Sequence, residues 1–311
     1  MNQHGPMMMK TSFSEAGGTW RMAAAMVLSG TIGLAVVESG QPPLVVVLFR
    51  CLIGGVAMAV WLSLARQWTP LRGADGAALG LGGLALVGNW LCLFSAYQHV
   101  SISVATVVYH TQPFMLLGLA ALSQRERLQR QRLPWLGLAF VGVALTAEVQ
   151  RATVGTAAWL GVALACAAAF LYAVATLATK RLAHLPPAQI ATVQMGVGLA
   201  VLLPLAAPAI APLHAAGATA LLTLGLVHTA LMYTLMYGAF QRLPTAAIAA
   251  LSFIYPLVAL LVDVLWFGVR LSLAQSIGVA AIVLALVADQ WRLRRGRLHA
   301  AGPAAAHGTG R

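Results

Sequence analysis

The most constraining feature of this sequence is a series of long apolar runs, separated by short segments that hold most of the charge. A helix that crosses the roughly 30 Å hydrocarbon layer of a membrane needs about 20 such residues. Ten runs meet this need, at residues 20–38, 43–65, 76–98, 101–123, 133–149, 155–179, 189–211, 216–240, 244–267 and 273–290. No stretch alternates with period two, so strands are not expected. The sequence therefore predicts an all-α integral membrane protein with ten transmembrane helices.

The composition favours lipid over water as the surroundings of the folded chain. Hydrophobic residues make up 60% of it and charged residues only 8%, whereas soluble chains carry roughly 25% charged residues. The net charge of +12 does not indicate nucleic-acid binding, because the basic residues fall in the gaps between apolar runs. Cys51, Cys92 and Cys166 each lie inside an apolar run, so neither a disulfide framework nor a zinc site is predicted.

The distribution of Lys and Arg predicts the orientation of the chain. If the N-terminus is cytoplasmic, 16 of these residues fall inside, only Arg151 and Arg270 fall outside, and Arg50 lies within a span. This bias follows the positive-inside rule. We therefore predict a multi-pass protein of the bacterial inner membrane with both termini in the cytoplasm. Residues 1–18 are expected to form a disordered leader, and residues 292–311 a basic tail.

An internal repeat divides the apolar part of the chain into two halves. Residues 96–113 read AYQHVSISVATVVYHTQP and residues 239–256 read AFQRLPTAAIAALSFIYP, at an offset of 143. The repeats cover residues 19–150 and 151–291, with five predicted spans each. An odd number of spans makes the second copy enter the membrane from the opposite side, so the copies are expected to be inverted. Inverted repeats are typical of secondary transporters, and a duplicated structural bundle is the alternative.

Several short motifs occur in the order found in one known family. They are Leu48-Phe49-Arg50 early in the second span, the block from Ala96-Tyr97-Gln98 to Pro113, Glu126-Arg127-Leu128 after the fourth span, and the second block ending at Pro256. With these motifs and the five-plus-five duplication, the chain resembles the EamA-type members of the drug/metabolite transporter superfamily over residues 20–290.

The resemblance implies ten helices and a central cavity formed mainly by the first four helices of each half. It also implies export of amino acids, other metabolites or toxic compounds, often in exchange for protons. The sequence departs from the family in three places. Val269-Arg270 stands where an acidic residue usually follows the fourth span of the second copy, the Trp-Gly of the first helix is absent, and Asp263 replaces a glycine.

Two histidines lie near the middle of predicted spans, where an ionisable group is costly and therefore suggests a function. His110 lies in the fourth span and His228 in the eighth. Because imidazole exchanges protons near neutral pH, either histidine is a candidate for proton coupling or for binding a carboxylate of the solute. The alternative is a neutral histidine hydrogen-bonded between helices.

Two prolines at equivalent positions of the repeats are predicted to break their helices. Pro113 frees the carbonyl group of Tyr109, and Pro256 frees that of Ser252. Matched breaks near mid-membrane are typical of transporter sites built on discontinuous helices. The alternative is a plain kink whose backbone groups are satisfied by neighbouring helices.

Aromatic and amide side chains within the spans are candidates for a solute pocket. Besides the two histidines, the predicted substrate-binding residues are Asn89, Trp90, Tyr109, Tyr172, Tyr233, Ser252 and Tyr255. For each of them the alternative is packing between helices or at the membrane interface. No metal site and no cofactor are predicted.

Three charged residues are further candidates for proton coupling or gating. Glu38 and Arg50 lie on either side of a Pro-Pro loop, so we predict an ion pair between them, because a lone arginine at this depth would cost several kcal/mol. Arg50 could also bind an anionic group. Asp263 lies near the outer end of the ninth span and is a candidate proton site or gate. The alternatives are a structural ion pair and a solvated helix end.

These features predict a secondary transporter that exports a small organic metabolite, an amino acid or a related compound, by proton-coupled alternating access. The alternatives are an uncoupled facilitator or exchanger and a non-transporting accessory protein. An intramembrane enzyme is not predicted, because the sequence has no HExxH and no GxSxG motif. The expected partners are the solute, protons and the lipid bilayer, with no nucleic acid; the oligomeric state stays open.

Overall fold

The computed structural model describes residues 5–100, 102–123, 130–147, 158–268 and 270–301, and every regular element in these ranges is helical. The α-helices are α1 Gly5–Gly30, α2 Ile32–Ser39, α3 Pro43–Phe49, α4 Gly55–Leu64, α5 Asp75–Ala96, α6 Ile102–Tyr109, α7 Gln112–Ser123, α8 Leu133–Thr146, α9 Ala158–Arg181, α10 Pro187–Ala206, α11 Ala215–Gly225, α12 Met232–Phe240, α13 Thr245–Leu251, α14 Ile254–Trp266 and α15 Leu273–Ala301. Arg50–Gly54 and Leu226–Leu231 are π-helical, and Arg130–Arg132 and Ala207–Ala209 are 3₁₀ turns.

Eight stretches in the described part of the chain are long and apolar enough to cross a membrane. They are Ala16–Ser39, Pro43–Leu64, Asp75–Ala96, Val104–Ser123, Ala158–Arg181, Pro187–Ala209, Ala215–Phe240 and Thr245–Trp266. They coincide with eight of the predicted spans, and a shorter apolar helix, Leu273–Asp289, coincides with the tenth. The fifth predicted span is occupied by α8, which has 14 residues.

The first and last helices extend further than the sequence predicts. Helix α1 begins at Gly5, so residues 5–18 are helical where a disordered leader is expected. The reason is local, because a run of methionines favours a helix and a proline is tolerated in its first turn. Helix α15 likewise continues to Ala301, through the first half of the predicted tail. The remainder of that tail and the Glu126-Arg127-Leu128 motif lie outside the described residues.

Five of these eight stretches, which we number by the predicted spans with which they coincide, are irregular near their middle. In the first, a turn at Thr31 separates α1 from α2, and the second and eighth contain the π-helical segments. The fourth is interrupted at His110–Thr111 and the ninth at Ser252–Phe253. The last two interruptions come just before Pro113 and Pro256, because a proline lacks the amide proton that would continue the helix. The π-helical segments contain no proline.

Helix pairing brings the two halves of the chain together. Helix α5 packs against α9, α1 against α12, α10 against α3 and α4, α7 against α13, and α8 against α15. Each of these pairs joins an element of one repeat to an element of the other. One core is shared by most of these helices, including Leu86 of α5, Ile190 of α10 and Met232 of α12. A second core joins α7, α8, α13 and α15 around Phe253 and Ile282.

Helices α8 and α15 approach closely through two glycines. A Cβ atom on Gly142 would lie 2.7 Å from the carbonyl oxygen of Gly278, and one on Gly278 would lie 2.6 Å from the carbonyl oxygen of Gly142. No side chain fits at these distances, so glycine is needed on both sides. This pair packs mainly on itself, with α7 and α13 as neighbours.

Two glutamines tie the second span to the seventh at both ends. At one end, Gln41 before α3 accepts a hydrogen bond from Ala211 N at 3.0 Å and donates one to Ala211 O at 3.1 Å. At the other, Gln189 in the first turn of α10 accepts from Thr69 N at 2.9 Å and donates to Thr69 O at 2.8 Å. We call these pairs of bonds the Gln41 clamp and the Gln189 clamp. Since the start of each span meets the end of the other, the two spans run antiparallel.

Candidate functional site

The interruptions of the fourth and ninth spans face each other through aromatic rings. His110, which is 6% exposed, stacks on Tyr255 with ring centroids 5.9 Å apart and an interplanar angle of 14°. Its ring also lies 6.1 Å from that of Phe253. Nδ1 of His110 lies 2.7 Å from the carbonyl oxygen of Thr106, one turn earlier in α6. The two breaks that the prolines predict thus meet at one histidine.

A buried amide positions the tyrosines beside this histidine. Asn89 of α5, 1% exposed, donates to Ala168 O at 2.8 Å and to the Tyr109 hydroxyl at 3.2 Å. The ring of Tyr109 lies 6.2 Å from that of Tyr172, whose hydroxyl is 3.4 Å from a methionine sulfur of α12. An amide buried in apolar surroundings needs its hydrogen bonds, so Asn89 fixes how α5, α6 and α9 sit together. We call Asn89, Tyr109, His110, Tyr172 and Tyr255 the aromatic cluster.

Helix α12 contributes two further tyrosines. Tyr233 and Tyr237 make an edge-to-face contact with ring centroids 5.3 Å apart, and both are buried. The Tyr237 hydroxyl donates to Gln194 Oε1, and Gln194 Nε2 donates to the hydroxyl of Thr179 at 3.3 Å. Gln194 is fully buried in α10. Tyr237 is therefore held in place by a hydrogen-bonded network, whereas Tyr233 belongs to the main core.

A second group of polar side chains lies where the two π-helical segments touch. Arg50 donates from Nε to the Thr229 hydroxyl at 3.1 Å and from Nη2 to the carbonyl oxygen of His228 at 3.0 Å. Nε2 of His228 lies 2.9 Å from Oγ1 of Thr31, at the turn between α1 and α2. All but Thr31, which is half-buried, are buried. We call Thr31, Arg50, His228 and Thr229 the Arg50 cluster.

The two ring nitrogens of His228 have different surroundings. Nε2 lies 2.9 Å from Oγ1 of Thr31, and which of these two atoms donates depends on the tautomer of the ring. Nδ1 is buried and has no hydrogen-bond partner among the described residues.

The predicted ion pair between Glu38 and Arg50 is wrong. Glu38 is exposed next to the last residue of α2, whereas Arg50 is 9% exposed and bonds across to the eighth span. The physical reason is the π-helical segment that begins at Arg50, where the side chain meets a hydroxyl and a carbonyl of the facing π-helical segment. Glu38 and Arg50 are near in sequence, but the cross-span acceptors are closer in space.

The other predicted residues are placed outside these two groups. Trp90 is half-buried against the main core, and the Ser252 hydroxyl donates to Ala249 O at 2.7 Å within its own helix. Asp263 is exposed on α14 and, with Glu38, joins neither cluster. The two histidines belong to different clusters. Their roles in solute or proton binding stay predictions.

Sequence reasoning missed Thr31, Gln194 and Thr229, together with the two clamp glutamines. The available signal was a polar residue within or beside an apolar run, which is too common to single these out. Among the described residues there is no group of three or more His, Cys, Asp or Glu that could hold a metal ion. The three cysteines are free.

Comparison with known proteins gives consistent results. The model of the EamA-like transporter family matches the chain twice, over residues 18–147 and 159–288. The "Uncharacterized transporter YxxF" of Bacillus subtilis (strain 168) is 29% identical over 266 residues, which cover 84% of this chain and 86% of that protein. The "Probable amino-acid metabolite efflux pump" of Salmonella typhimurium (strain LT2) is 27% identical over 290 residues, covering 88% of this chain and 95% of that protein.

One solved structure with a similar fold is described only as "Crystal structure of protein". Its TM-score is 0.77 at 22% identity, and the match covers 90% of this chain and 99% of that one. The family match and the names of the two relatives confirm the resemblance stated from the sequence. They indicate a multi-pass membrane transporter rather than an enzyme.

Proposed function

Because the chain belongs to the EamA-like transporter family, we propose that it exports a small organic metabolite, an amino acid or a related compound, by proton-coupled alternating access. The observation that carries this proposal is the stack of His110 on Tyr255, which joins the broken fourth span to the broken ninth span. Helix breaks at equivalent places of two repeats are the usual framework of a transporter site. The proposal places the protein in the bacterial inner membrane with both termini in the cytoplasm.

The proposed architecture is ten spans in two inverted repeats, residues 19–150 and 151–291. Helix pairing supports it, because exchanging the two repeats turns the α1–α12 contact into the α9–α5 contact and leaves the α8–α15 contact unchanged. The antiparallel course of the second and seventh spans supports the inversion. A two-fold axis in the membrane plane lets the two halves exchange conformations, which gives access to each side in turn.

In the proposed mechanism the solute enters from the cytoplasm and separates the two broken helices. The rings of His110 and Tyr255 are in contact in this conformation. A solute that binds between them must therefore separate the two rings and contact them in turn. Asn89 and Tyr109 offer an amide and a hydroxyl to its polar groups. Ring faces for its apolar part come from the other two tyrosines of the proposed pocket, Tyr172 and Tyr233.

The return step of the proposed cycle uses a proton. A proton taken up from outside by His110, His228 or Asp263 would drive the empty protein back to the inward-facing state. Imidazole suits this task because it gains and loses a proton near neutral pH.

The substrate class is supported by one relative, the "Probable amino-acid metabolite efflux pump". The lining of the aromatic cluster agrees with it, because tyrosine rings and one amide suit a solute with an apolar side chain and a few polar groups.

The experiment has two stages. Metabolite profiling of the medium from cells that overexpress or lack the protein identifies the exported solute. Proteoliposomes containing the purified protein are then loaded with that solute, and export is measured with and without a pH gradient. We expect export to accelerate when the acceptor side is acidic. Counterflow with no response to the gradient would favour an uncoupled facilitator, and absence of any transport would favour an accessory protein.

A variant tests the role of His110. His110→Phe keeps a ring that can stack on Tyr255 but cannot take up a proton, so export is expected to lose its response to the pH gradient. The matched control is His99→Gln, because His99 is exposed on the loop before the fourth span. A His110→Phe variant with the pH response of the wild type would exclude His110 as the coupling residue. His228 and Asp263 would then be the remaining candidates.

A further inference from the structure

Three irregular helices meet at the Arg50 cluster. The first span turns at Thr31, the second is π-helical from Arg50 to Gly54, and the eighth is π-helical from Leu226 to Leu231. π-helical segments inside α-helices cost hydrogen-bond geometry and occur often at functional sites. Neither of the two segments contains a proline. The helices at the Arg50 cluster thus depart from α-helical geometry although no helix-breaking residue forces them to.

The two π-helical segments are in direct contact. A Cβ atom on Gly54 would lie 2.5 Å from Cγ2 of Thr229, and one on Gly225 would lie 2.5 Å from Cβ of Ile53. The Thr229 hydroxyl donates to a carbonyl five residues earlier in the chain, at 2.9 Å. The guanidinium of Arg50 is therefore brought against the eighth span at close range, and its position is fixed by two hydrogen bonds.

The charge of Arg50 is not balanced by any carboxylate within ion-pair distance in the described part of the chain. Its two hydrogen bonds go to a hydroxyl and a carbonyl, which are neutral acceptors. These bonds use two of its five N–H donors. A buried cation without a counter-charge is costly in a membrane protein and marks a functional group by default. Beside it, Nδ1 of His228 is buried without a partner.

We propose that the Arg50 cluster binds the carboxylate of the transported solute. Arg50 supplies the charge and a forked set of donors that matches a carboxylate, and the His228 ring adds a donor in the tautomer that carries its proton on Nδ1. This inference rests on the proposed function and names its substrate class. The ligand is a carboxylic acid anion whose apolar part extends away from Arg50.

The direction of the apolar part follows from the eighth span. Tyr233 lies four residues beyond Thr229 and therefore about one helical turn, roughly 6 Å, along the same face. A solute held by its carboxylate at Arg50 reaches Tyr233 with its side chain, and from there the aromatic cluster. Acids with an aromatic or branched apolar group fit this arrangement, whereas neutral amides of the same shape lack the group that Arg50 recognises.

The test compares acids with their amides on the purified full-length protein in detergent. Thermal unfolding is followed by tryptophan fluorescence with phenylalanine, phenylalaninamide, phenylacetate or phenylacetamide, at constant ionic strength. We expect the two carboxylates to raise the unfolding temperature and the two amides to leave it unchanged. Equal stabilisation by acid and amide, or no stabilisation by either acid, would overturn the proposal.

Variants locate the effect. Arg50→Gln is expected to weaken the apparent affinity for phenylacetate at least tenfold, the typical size of a lost charge-assisted hydrogen bond (about 1.4 kcal/mol). Arg50→Lys should keep part of it. The matched control is Arg270→Gln, an exposed arginine after the ninth span, which should bind like the wild type. If Arg50→Gln does not fold, His228→Gln is measured instead, with a smaller loss expected.

The outcomes separate this proposal from the proposed function. If phenylacetate binds at Arg50 but no solute crosses the membrane in proteoliposomes, the carboxylate site stands and transport falls. If an amide is exported as well as its acid, by the wild type and by Arg50→Gln alike, transport stands and the carboxylate site falls. Wild-type affinity for phenylacetate in the Arg50→Gln variant also refutes the site.

Discussion

Replacing Gln189 by alanine removes the Gln189 clamp without touching either cluster of candidate site residues. The side chain of Gln189 is 2% exposed and makes two hydrogen bonds with the Thr69 backbone, at 2.9 and 2.8 Å. Alanine favours the helix that begins at Pro187 at least as much as glutamine does. Any loss of stability therefore comes from the clamp and from the space left by the side chain.

The magnitude follows from the two bonds. Each is worth about 1 kcal/mol net, and leaving a buried partner unsatisfied costs more. Thr69 is half-buried, so water replaces part of the lost bonding on that side. We therefore expect Gln189→Ala to lower the free energy of unfolding by about 2 kcal/mol. Gln41→Ala should cost a similar amount, because its two bonds to Ala211 have lengths of 3.0 and 3.1 Å.

The two clamps should act independently. They lie at opposite ends of the 20-residue helix α10, about 30 Å apart, and changes at such distances add. The double variant is thus expected to lose about 4 kcal/mol. The assay is reversible unfolding in mixed micelles, with tryptophan fluorescence as the signal.

Gln67→Ala is the matched control, because Gln67 is exposed in the same loop as Thr69. Its effect should stay within about 0.5 kcal/mol. The reasoning is refuted if Gln67→Ala and Gln189→Ala cost the same. It is also refuted if the double variant costs no more than one single variant, since the clamps would then not be separate.

Two further pairs of substitutions probe the packing and the hydrogen bonds of the site. Gly54→Ala places a Cβ atom 2.5 Å from Thr229 and should cost about 1–3 kcal/mol by overpacking, whereas Gly196→Ala, with open space around it, should be neutral or stabilising in the same unfolding assay. Asn89→Leu removes a second donor from the carbonyl of Ala168, which keeps its partner within α9, and should cost about 1 kcal/mol. Tyr109→Phe removes only the acceptor of the longer Asn89 bond and should lower the free energy of unfolding by less. Equal losses for the two variants would show that the bond to Tyr109, and not the bond to Ala168, accounts for the stability.

Hydropathy predicts the order of the spans well, because burial in lipid requires a long apolar helix whatever its neighbours are. The interruptions of the fourth and ninth spans were also predictable, since Pro113 and Pro256 remove a hydrogen bond wherever the chain folds. The start of α1 is not apparent in the sequence, because the helix continues through a glycine pair that looks like a boundary there.

Features that depend on contacts between distant segments could not be predicted. The π-helical segments carry no local signal, and they exist where Gly54 meets the eighth span. Arg50 bonds to Thr229, and not to Glu38, because the contact at Gly54 brings the eighth span next to it. The clamps could not be predicted either, because the backbone partner of each glutamine lies in the other repeat, far away in the sequence.

The pair of clamps has a consequence for movement. A helix that is fastened to its neighbour at both ends can neither slide along it nor tilt away without breaking hydrogen bonds at one end. The second and seventh spans should therefore act as a stationary axis, with the remaining helices turning around them. Spin labels on these two spans would report one distance in every state of the cycle, while labels on the fourth and ninth would report two.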